Sequence, residues 1–473
     1  MKRLTSHFLF FSLLLILSPD GQAQEQPMSV QESNINPEEV GVFDNDLLPA
    51  SFHRERRQKL RDLMPDSSVA IFFSSPIRNR SNDVDYEYHQ DPNFYYLTGL
   101  REPHSVVIIH KHPVLINNKL TNEVLFVQPR NPKQERWLGK RLGVEGAKKI
   151  LEFGTVLPNS DFSFTDCKIN GMNYTFFPID KGDTRDTESN HDLFDLKKHF
   201  LTQTVRQKGS STLARFMAQL REIKTNEELI LMRKAIDITC KAQHELMKKL
   251  TPEMAEYQTE ALVEFHFKNE GAEHAGFPSI HGSGGNSCIL HYVSNRRMFE
   301  ENDLLVSDIG AEYHGYTADV TRTLPVNGKY SKEQAIIYNL VLQAQSIGID
   351  SCLAGNSFWI ASQVANKVIA DGLIKLGIIQ NKIEVKKYFP HGTSHYLGLD
   401  VHDVGTYGKL TPGQVITVEP GIYIPANSDC DPKWWNIGVR IEDDILITTE
   451  KPINLSDCVP RTMQEIEEIM KKK

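Results

Sequence analysis

Apolar runs with strand character, SVAIFF (68–73), SVVIIH (105–110) and EVLFVQP (123–129), alternate from Phe52 onward with helix-like stretches such as EGAKKILEFG (145–154). That alternation predicts an α/β domain over residues 51–207. A Gln-Lys-Gly-Ser-Ser run at 207–211 reads as a hinge, and two amphipathic helical patterns fill Ser211 to Lys249. After Gly282 the texture turns to strands punctuated by Gly-rich turns at 282–285, 314–316, 412–413 and 420–421. One further amphipathic pattern, Lys332 to Leu376, interrupts the strands, and a charged helix from Met463 closes the chain. The second domain therefore spans 208–473, and the fold class expected is α/β, or α+β, in both halves.

The residues before Phe52 read differently. Lys2 and Arg3 precede an apolar run from Phe8 to Leu17, and Gly21-Gln22-Ala23 offers small residues at the usual cleavage spacing, so 1–23 is predicted to be a secretory signal peptide. The apolar run falls short of the roughly 20 residues needed to span a bilayer, and no later stretch is apolar enough, so stable membrane insertion is not expected. Residues 24–50 are polar and aperiodic, an extended lead-in. Export to a periplasm or medium is the expected localisation.

Composition narrows the function classes. With 473 residues, 40% hydrophobic and 24% charged, the chain is a folded globular protein rather than a disordered or multispanning one. Acidic side chains (61) outnumber Lys plus Arg (53), and the net charge of −8 argues against a nucleic-acid partner. The cysteines Cys167, Cys240, Cys288, Cys352, Cys430 and Cys458 show no CxxC pair and so suggest no structural zinc site. Packing is the default role; Cys430 and Cys458, both in loop-like C-terminal sequence, are the candidates for a disulfide.

Candidate chemistry begins at DLLVSDIGAEYHGYTADVTRT (303–323). A two-residue turn at His314-Gly315 would pair Tyr313 with Tyr316, Gly310 with Asp319 and Asp308 with Thr321, placing Asp308 and Asp319 on one face of the strand pair. Two such carboxylates repel unless a cation or proton intervenes, so they read as metal ligands, the alternative being solvated aspartates near a turn. FPHGTSHYLGLDVHDVG then carries His391, His395 and His402; VITVEPGIYI carries Glu419 before a Pro-Gly turn; WNIGVRIEDDILIT carries Glu442 in mid-strand, with Asp443 and Asp444 reading as solvated neighbours. Four carboxylates, at least one imidazole and no thiolate suit two divalent ions, Mn2+ first and Co2+ or Zn2+ as alternatives. Such a pair is the machinery of a metallohydrolase.

The order and spacing of Asp308, Asp319, His395, Glu419 and Glu442 resemble the pita-bread metallopeptidases, and within them the Xaa-Pro aminopeptidase (aminopeptidase P) branch. The likeness extends through GSGGNSCILHY (282–292), HGTSHYLGLDVHDVG (391–405) and GVRIEDD (438–444), and into YEYHQDPNFYYLTGLREP (86–103) and ERWLGKRLG (135–143) of the first domain. It implies a non-catalytic N-terminal domain and a catalytic domain of mostly antiparallel curved sheet backed by helices. By the same resemblance Asp308 chelates one metal, Asp319 and Glu442 bridge both, and His395 and Glu419 complete the other shell. Glu419 also takes a proton from the nucleophilic water. His291, His391, His402 and Arg440 match positions that line the substrate pocket, with His402, and beside it His291, in catalytic roles at the scissile carbonyl. Peptides with proline second are the implied substrates, and a dimer or tetramer the implied assembly. Tyr95 and the loop 427–436 depart from the family pattern, the loop being placed to reshape the pocket. A dipeptide-restricted prolidase is the nearest rival, and a binding module without catalysis the remote one.

Overall fold

A computed structural model describes residues 44–178, 192–203 and 211–471, so the predicted signal peptide (1–23), most of the expected lead-in and the expected hinge at 207–210 lie outside the described residues. In the N-terminal half, β1 (Ser68–Phe73), β2 (Val106–Ile116), β3 (Lys119–Val127), β4 (Val156–Pro158) and β5 (Tyr174–Phe176) form one sheet in the order β4-β3-β2-β1-β5. The runs that predicted it are buried on both faces: Val69, Ile71, Val106, Ile108 and Phe126 pack in one cluster, while Ala70, Phe72, Val107, Ile109 and Leu125 join the main core. Helix α1 (Ala50–Leu63) docks on this sheet through buried Arg57, whose guanidinium donates to Glu123 at 2.9 and 3.0 Å.

The C-terminal half begins with helices α2 (Ser211–Arg221), α3 (Asn226–Lys249) and α4 (Glu256–Asn269). A capping box joins Thr225 and Glu228 at the start of α3. The strand region opens with β6 (Ile280–Ser283) and β7 (Leu304–Ile309), then runs through β8 (Ala311–Tyr313), β9 (Tyr316–Thr317) and β10 (Val320–Pro325). Tyr313 faces Tyr316 and Asp308 faces Thr321, the register expected of a two-residue turn, with His314 and Gly315 both at positive φ. The ladder breaks at Gly310, where any Cβ would sit 1.8 Å from the Ala318 carbonyl oxygen.

The pattern from Lys332 to Leu376 is two helices, α5 (Lys332–Ser351) and α6 (Ile360–Lys375), separated by a turn with Gly355 at φ 91°. Strands β11 (Val415–Val418), β12 (Gly421–Ile424), β13 (Ile437–Arg440) and β14 (Asp443–Leu446) pair β11 with β14 and β12 with β13, and helix α7 (Met463–Lys471) ends the fold. Thr323 on β10 ties these strands to the first set: its hydroxyl donates to the Arg440 carbonyl at 2.8 Å and accepts from the Arg440 amide at 3.0 Å. Residues 47–473 form one compact unit. Among the described residues no helix is long and apolar enough to cross a membrane.

The disulfide differs from the expected pair. Cys458 is bonded to Cys240 in α3, whereas Cys430 is a free thiol against the core. Helix packing brings the two together across 218 residues of sequence, a proximity no local pattern could reveal.

Candidate metal centre and its cavity

Five acidic or imidazole side chains converge where the two strand sets meet. Asp308 projects from β7, Asp319 stands one residue before β10, and Glu419 follows directly on β11. Glu442 is at the junction of β13 and β14 rather than in mid-strand, because its amide leaves the ladder to donate to the Thr321 carbonyl at 3.1 Å. His395 lies in an irregular segment clamped to β11 by exchange with Thr417, the Thr417 amide donating to the His395 carbonyl at 3.0 Å. Ligand-type atoms of Asp319, His395 and Glu442 all lie within 4.8 Å of one another, and the three residues are buried. The His395 Nε2 is 3.4 Å from Asp319 Oδ2 and 3.6 Å from Glu419 Oε1, while its Nδ1–H donates to the Tyr396 carbonyl at 3.0 Å. That second bond orients Nε2 as the free lone pair, the usual arrangement of a metal-binding imidazole.

Burial without neutralisation governs the electrostatics. Desolvation, followed by the charges of Glu442 and Asp308, pushes the Asp319 carboxyl well above its ordinary range, and desolvation with Glu419 and Asp308 does the same to Glu442. Glu419 is pushed up to about 8, chiefly by burial, against the opposing pull of Arg440. Burial lowers His395 to about 4, keeping it a neutral donor. Asp308 Oδ1 and Asp319 Oδ1 are buried with no hydrogen-bond partner among the described residues. Crowded carboxylates, two orphaned oxygens and a neutral imidazole fit divalent cations, and an oxygen-rich set with one nitrogen fits hard or borderline ones.

The cluster forms the wall of a cavity of about 610 Å3. His291, His391, His402 and Arg440 all line it, together with apolar Phe277, Ile280, Leu290 and Val293. His402 stacks on His395 with ring centroids 4.1 Å apart, and burial lowers its pKa. His391 exchanges a hydrogen bond with the Tyr423 hydroxyl at 2.8 Å and is held near 4, first by burial and then by Arg440. Arg440 is committed on several sides, donating to Asp308 Oδ2 at 2.6 Å, the Tyr423 hydroxyl at 3.0 Å and the Leu290 carbonyl at 3.3 Å. No residue of the 427–436 loop lines the cavity: Trp434 is buried in the core and Trp435 donates to the Ser428 carbonyl, which turns the loop onto itself.

Sequence reasoning missed a supporting layer. Asp443 and Asp444 are fully buried, not solvated. Asp443 accepts from Arg322 at 2.8 Å, Gln345 at 2.8 Å and Ser456 at 2.7 Å, and Asp444 accepts from the Asp319 amide at 3.2 Å. Arg322 also donates to the Glu442 carbonyl at 2.7 Å, so this pair fixes the backbone that aims Glu442. Thr321 donates to Glu442 Oε2 at 2.6 Å and accepts from Arg440 Nε at 3.3 Å. Thr321 on β10 comes two residues after Asp319, a period-two spacing that was present in the sequence; Tyr423 carried none.

Residues 230–449 match metallopeptidase family M24, and residues 53–169 match the aminopeptidase P N-terminal domain. The Xaa-Pro aminopeptidase of Escherichia coli K12 is 35% identical over 430 residues, which cover 88% of this chain and 97% of the relative. The chain belongs to metallopeptidase family M24, in its aminopeptidase P branch. Solved structures agree with that membership. The Pseudomonas aeruginosa aminopeptidase PepP superposes with a TM-score of 0.80 at 32% identity, covering 90% of this chain and 99% of its own. The E. coli aminopeptidase P with the inhibitor Pro-Leu gives 0.79 at 33%, with the same coverage. The protein is thus a metallo-aminopeptidase with an aminopeptidase P N-terminal domain ahead of a pita-bread domain.

Proposed function

We propose that the protein is an exported two-metal enzyme that releases the N-terminal residue from peptides whose second residue is proline. The observation that carries this reading is the convergence of Asp308, Asp319, His395, Glu419 and Glu442, with two orphaned carboxylate oxygens, on a cavity lined by histidines and apolar side chains. Those five residues would hold the ions, Mn2+ by preference, with Co2+ or Zn2+ as alternatives. Two bound divalent ions supply Lewis acidity and a nucleophile at neutral pH. The residues do the rest. Glu419, at the end of β11 on the cavity wall, takes and holds the proton of the attacking water. His402 donates to the scissile carbonyl oxygen as charge develops there, and His291 stands beside it. The substrate ammonium is drawn to the carboxylate cluster, which sets the enzyme to act from the N-terminus. An Xaa-Pro bond offers no amide hydrogen, so recognition falls to ring contacts with Leu290, Val293 and His391 rather than to strand pairing.

Export is supported by the charged, apolar and small-residue sequence of residues 1–23 and by a disulfide between Cys240 and Cys458, a bond that forms and persists in oxidising compartments. Family resemblance supports a dimer or tetramer.

The test is hydrolysis of Arg-Pro-Pro-Gly-Phe and of the dipeptide Ala-Pro by Mn2+-loaded protein, residues 24–473, with and without chelator. Chelator-sensitive release of arginine is expected. Cleavage of Ala-Pro alone would make the protein a prolidase, and cleavage of neither would point to a binding module. For export, the mature N-terminus of protein recovered outside the cytoplasm should lie near Gln24.

A further inference from the structure

The metal-lined cavity continues beyond its histidines. A second cavity of about 830 Å3 shares His402 and Tyr407 with it and runs on against helix α2. The shared edge is rigid. The Tyr407 ring stacks on Trp359 at 5.7 Å and 15°, and meets Phe358 and Tyr396 edge-on at 4.9 and 5.2 Å. Tyr407 holds φ at 53°, a left-handed conformation that a bulky side chain adopts only when its surroundings impose it. The loop below the edge is pinned, because the Thr406 amide and hydroxyl both donate to Glu222 Oε2 at 2.8 Å.

Helix α2 supplies the far wall. Ala214 and Ala218, one turn apart, leave space, and Arg215 and Gln219 stand exposed beside them. Glu222 is already engaged by Thr406, whereas Arg215 makes no ion pair among the described residues. Among the described residues, the trough therefore offers Arg215 as an unpaired cation at the end of a path that begins at the carboxylate cluster.

We propose that this trough binds the part of the peptide downstream of proline, and that Arg215 selects substrates carrying a carboxylate there. The proposal rests on the aminopeptidase reading above, which places the substrate N-terminus at the metal cluster and so sends the following residues outward past His402. An extended chain advances about 3.3 Å per residue, so a group several residues beyond the proline is needed to reach α2. The carboxylate is either the C-terminus of a short peptide or an acidic side chain of a longer one.

The experiment compares kcat/KM for three peptides on the Mn2+-loaded full enzyme: Ala-Pro-Gly-Gly-Gly-Gly amide, the same peptide as the free acid, and Ala-Pro-Gly-Gly-Glu-Gly amide. Wild type should favour one or both carboxylate-bearing peptides about threefold to fivefold over the neutral amide, the size of an exposed ion pair. Preference for the free acid alone identifies the C-terminus as the ligand, and preference for the glutamyl peptide identifies the side chain. Arg215→Glu should abolish or invert the ratio through KM with kcat retained, and Arg215→Lys should keep it. An unchanged ratio in Arg215→Glu overturns the proposal while leaving the aminopeptidase reading in place. Failure of wild type to cleave any of the three overturns both.

Discussion

Asp403 follows His402 directly and is enclosed by two buried cations. Its Oδ1 accepts from Arg221 Nη2 at 2.5 Å and from the Val404 amide at 2.9 Å, and its Oδ2 accepts from Lys224 at 2.9 Å. The Arg221 and Lys224 side chains are 2% and 1% exposed, so neither charge can turn to water when its partner is lost. Removing one member of a buried pair typically costs 3–5 kcal/mol, most of it the penalty of stranding the other charge. Among the described residues, Asp403→Asn keeps the acceptor for Val404 but leaves the half-exposed Asp400, at 2.8 Å, as the ion-pair partner of Arg221, and leaves Lys224 without a carboxylate in ion-pair contact. A loss of about 3 kcal/mol is expected for Asp403→Asn, and about 5 kcal/mol for Asp403→Ala, which also removes the acceptor. Arg221 also donates to Asn93 of the N-terminal half at 2.8 Å, so the loss should fall on both halves together. Urea unfolding followed by far-ultraviolet circular dichroism and tryptophan fluorescence measures it. A destabilisation of Asp403→Asn below about 1 kcal/mol, or unfolding of one half alone, would refute the reasoning.

Asp319→Asn and Glu442→Gln should each lower bound metal below wild type and remove the rise in melting temperature that added Mn2+ gives, measured by elemental analysis and thermal scans; metal content equal to wild type would remove the ligand assignment. Replacing Cys240 and Cys458 together with alanine should destabilise the protein by about 2–5 kcal/mol, since closing so long a loop removes much denatured-state entropy, and a melt unchanged by reductant would contradict it. His53, fully buried and donating to the Tyr96 carbonyl, is held near 4 by burial, below its unfolded value of 6.5. The unfolded chain therefore takes up the proton first, and stability present above pH 6.5 is lost as pH falls toward 4. That loss is on the order of 2 kcal/mol between pH 7 and 4.5, and His53→Gln should shrink it in urea melts at the two pH values.

What sequence patterning made legible was local. The register from Asp308 to Thr321 follows from period-two alternation and one turn, and both operate within fourteen residues. Charge at a distance was not legible. Asp443 and Asp444 read as a charged pair in sequence, and only the approach of Arg322, Gln345 and Ser456 to Asp443 and of the Asp319 amide to Asp444 makes their burial tolerable. Helix α4 likewise escaped notice, because one of its inward residues is Glu256, whose carboxylate accepts from Ser283, Tyr292 and the Arg297 amide. A periodicity search treats such a residue as a solvent face. The split between α5 and α6 falls in CLAGNSFW (352–359), where Gly355 at positive φ and Asn356, donating to the Ser351 carbonyl, turn the chain between two stretches of the same helical rhythm. The candidate ligands were visible as residue types; their supports, Thr321 apart, were not.

The bond between Cys240 and Cys458 brackets every candidate ligand, from Asp308 to Glu442, inside one covalent ring. It also anchors the segment whose Val459 and Pro460 carbonyls accept from Arg322, the residue that holds the strand under Glu442. A ring of this kind separates the lifetime of the ions from the lifetime of the fold. Ions leaving an open chain would let the strands that carried them drift apart; here the ends of the domain stay tethered while the centre is empty. Demetallated protein should therefore keep its ends joined and recover its ions when metal returns, without first having to refold.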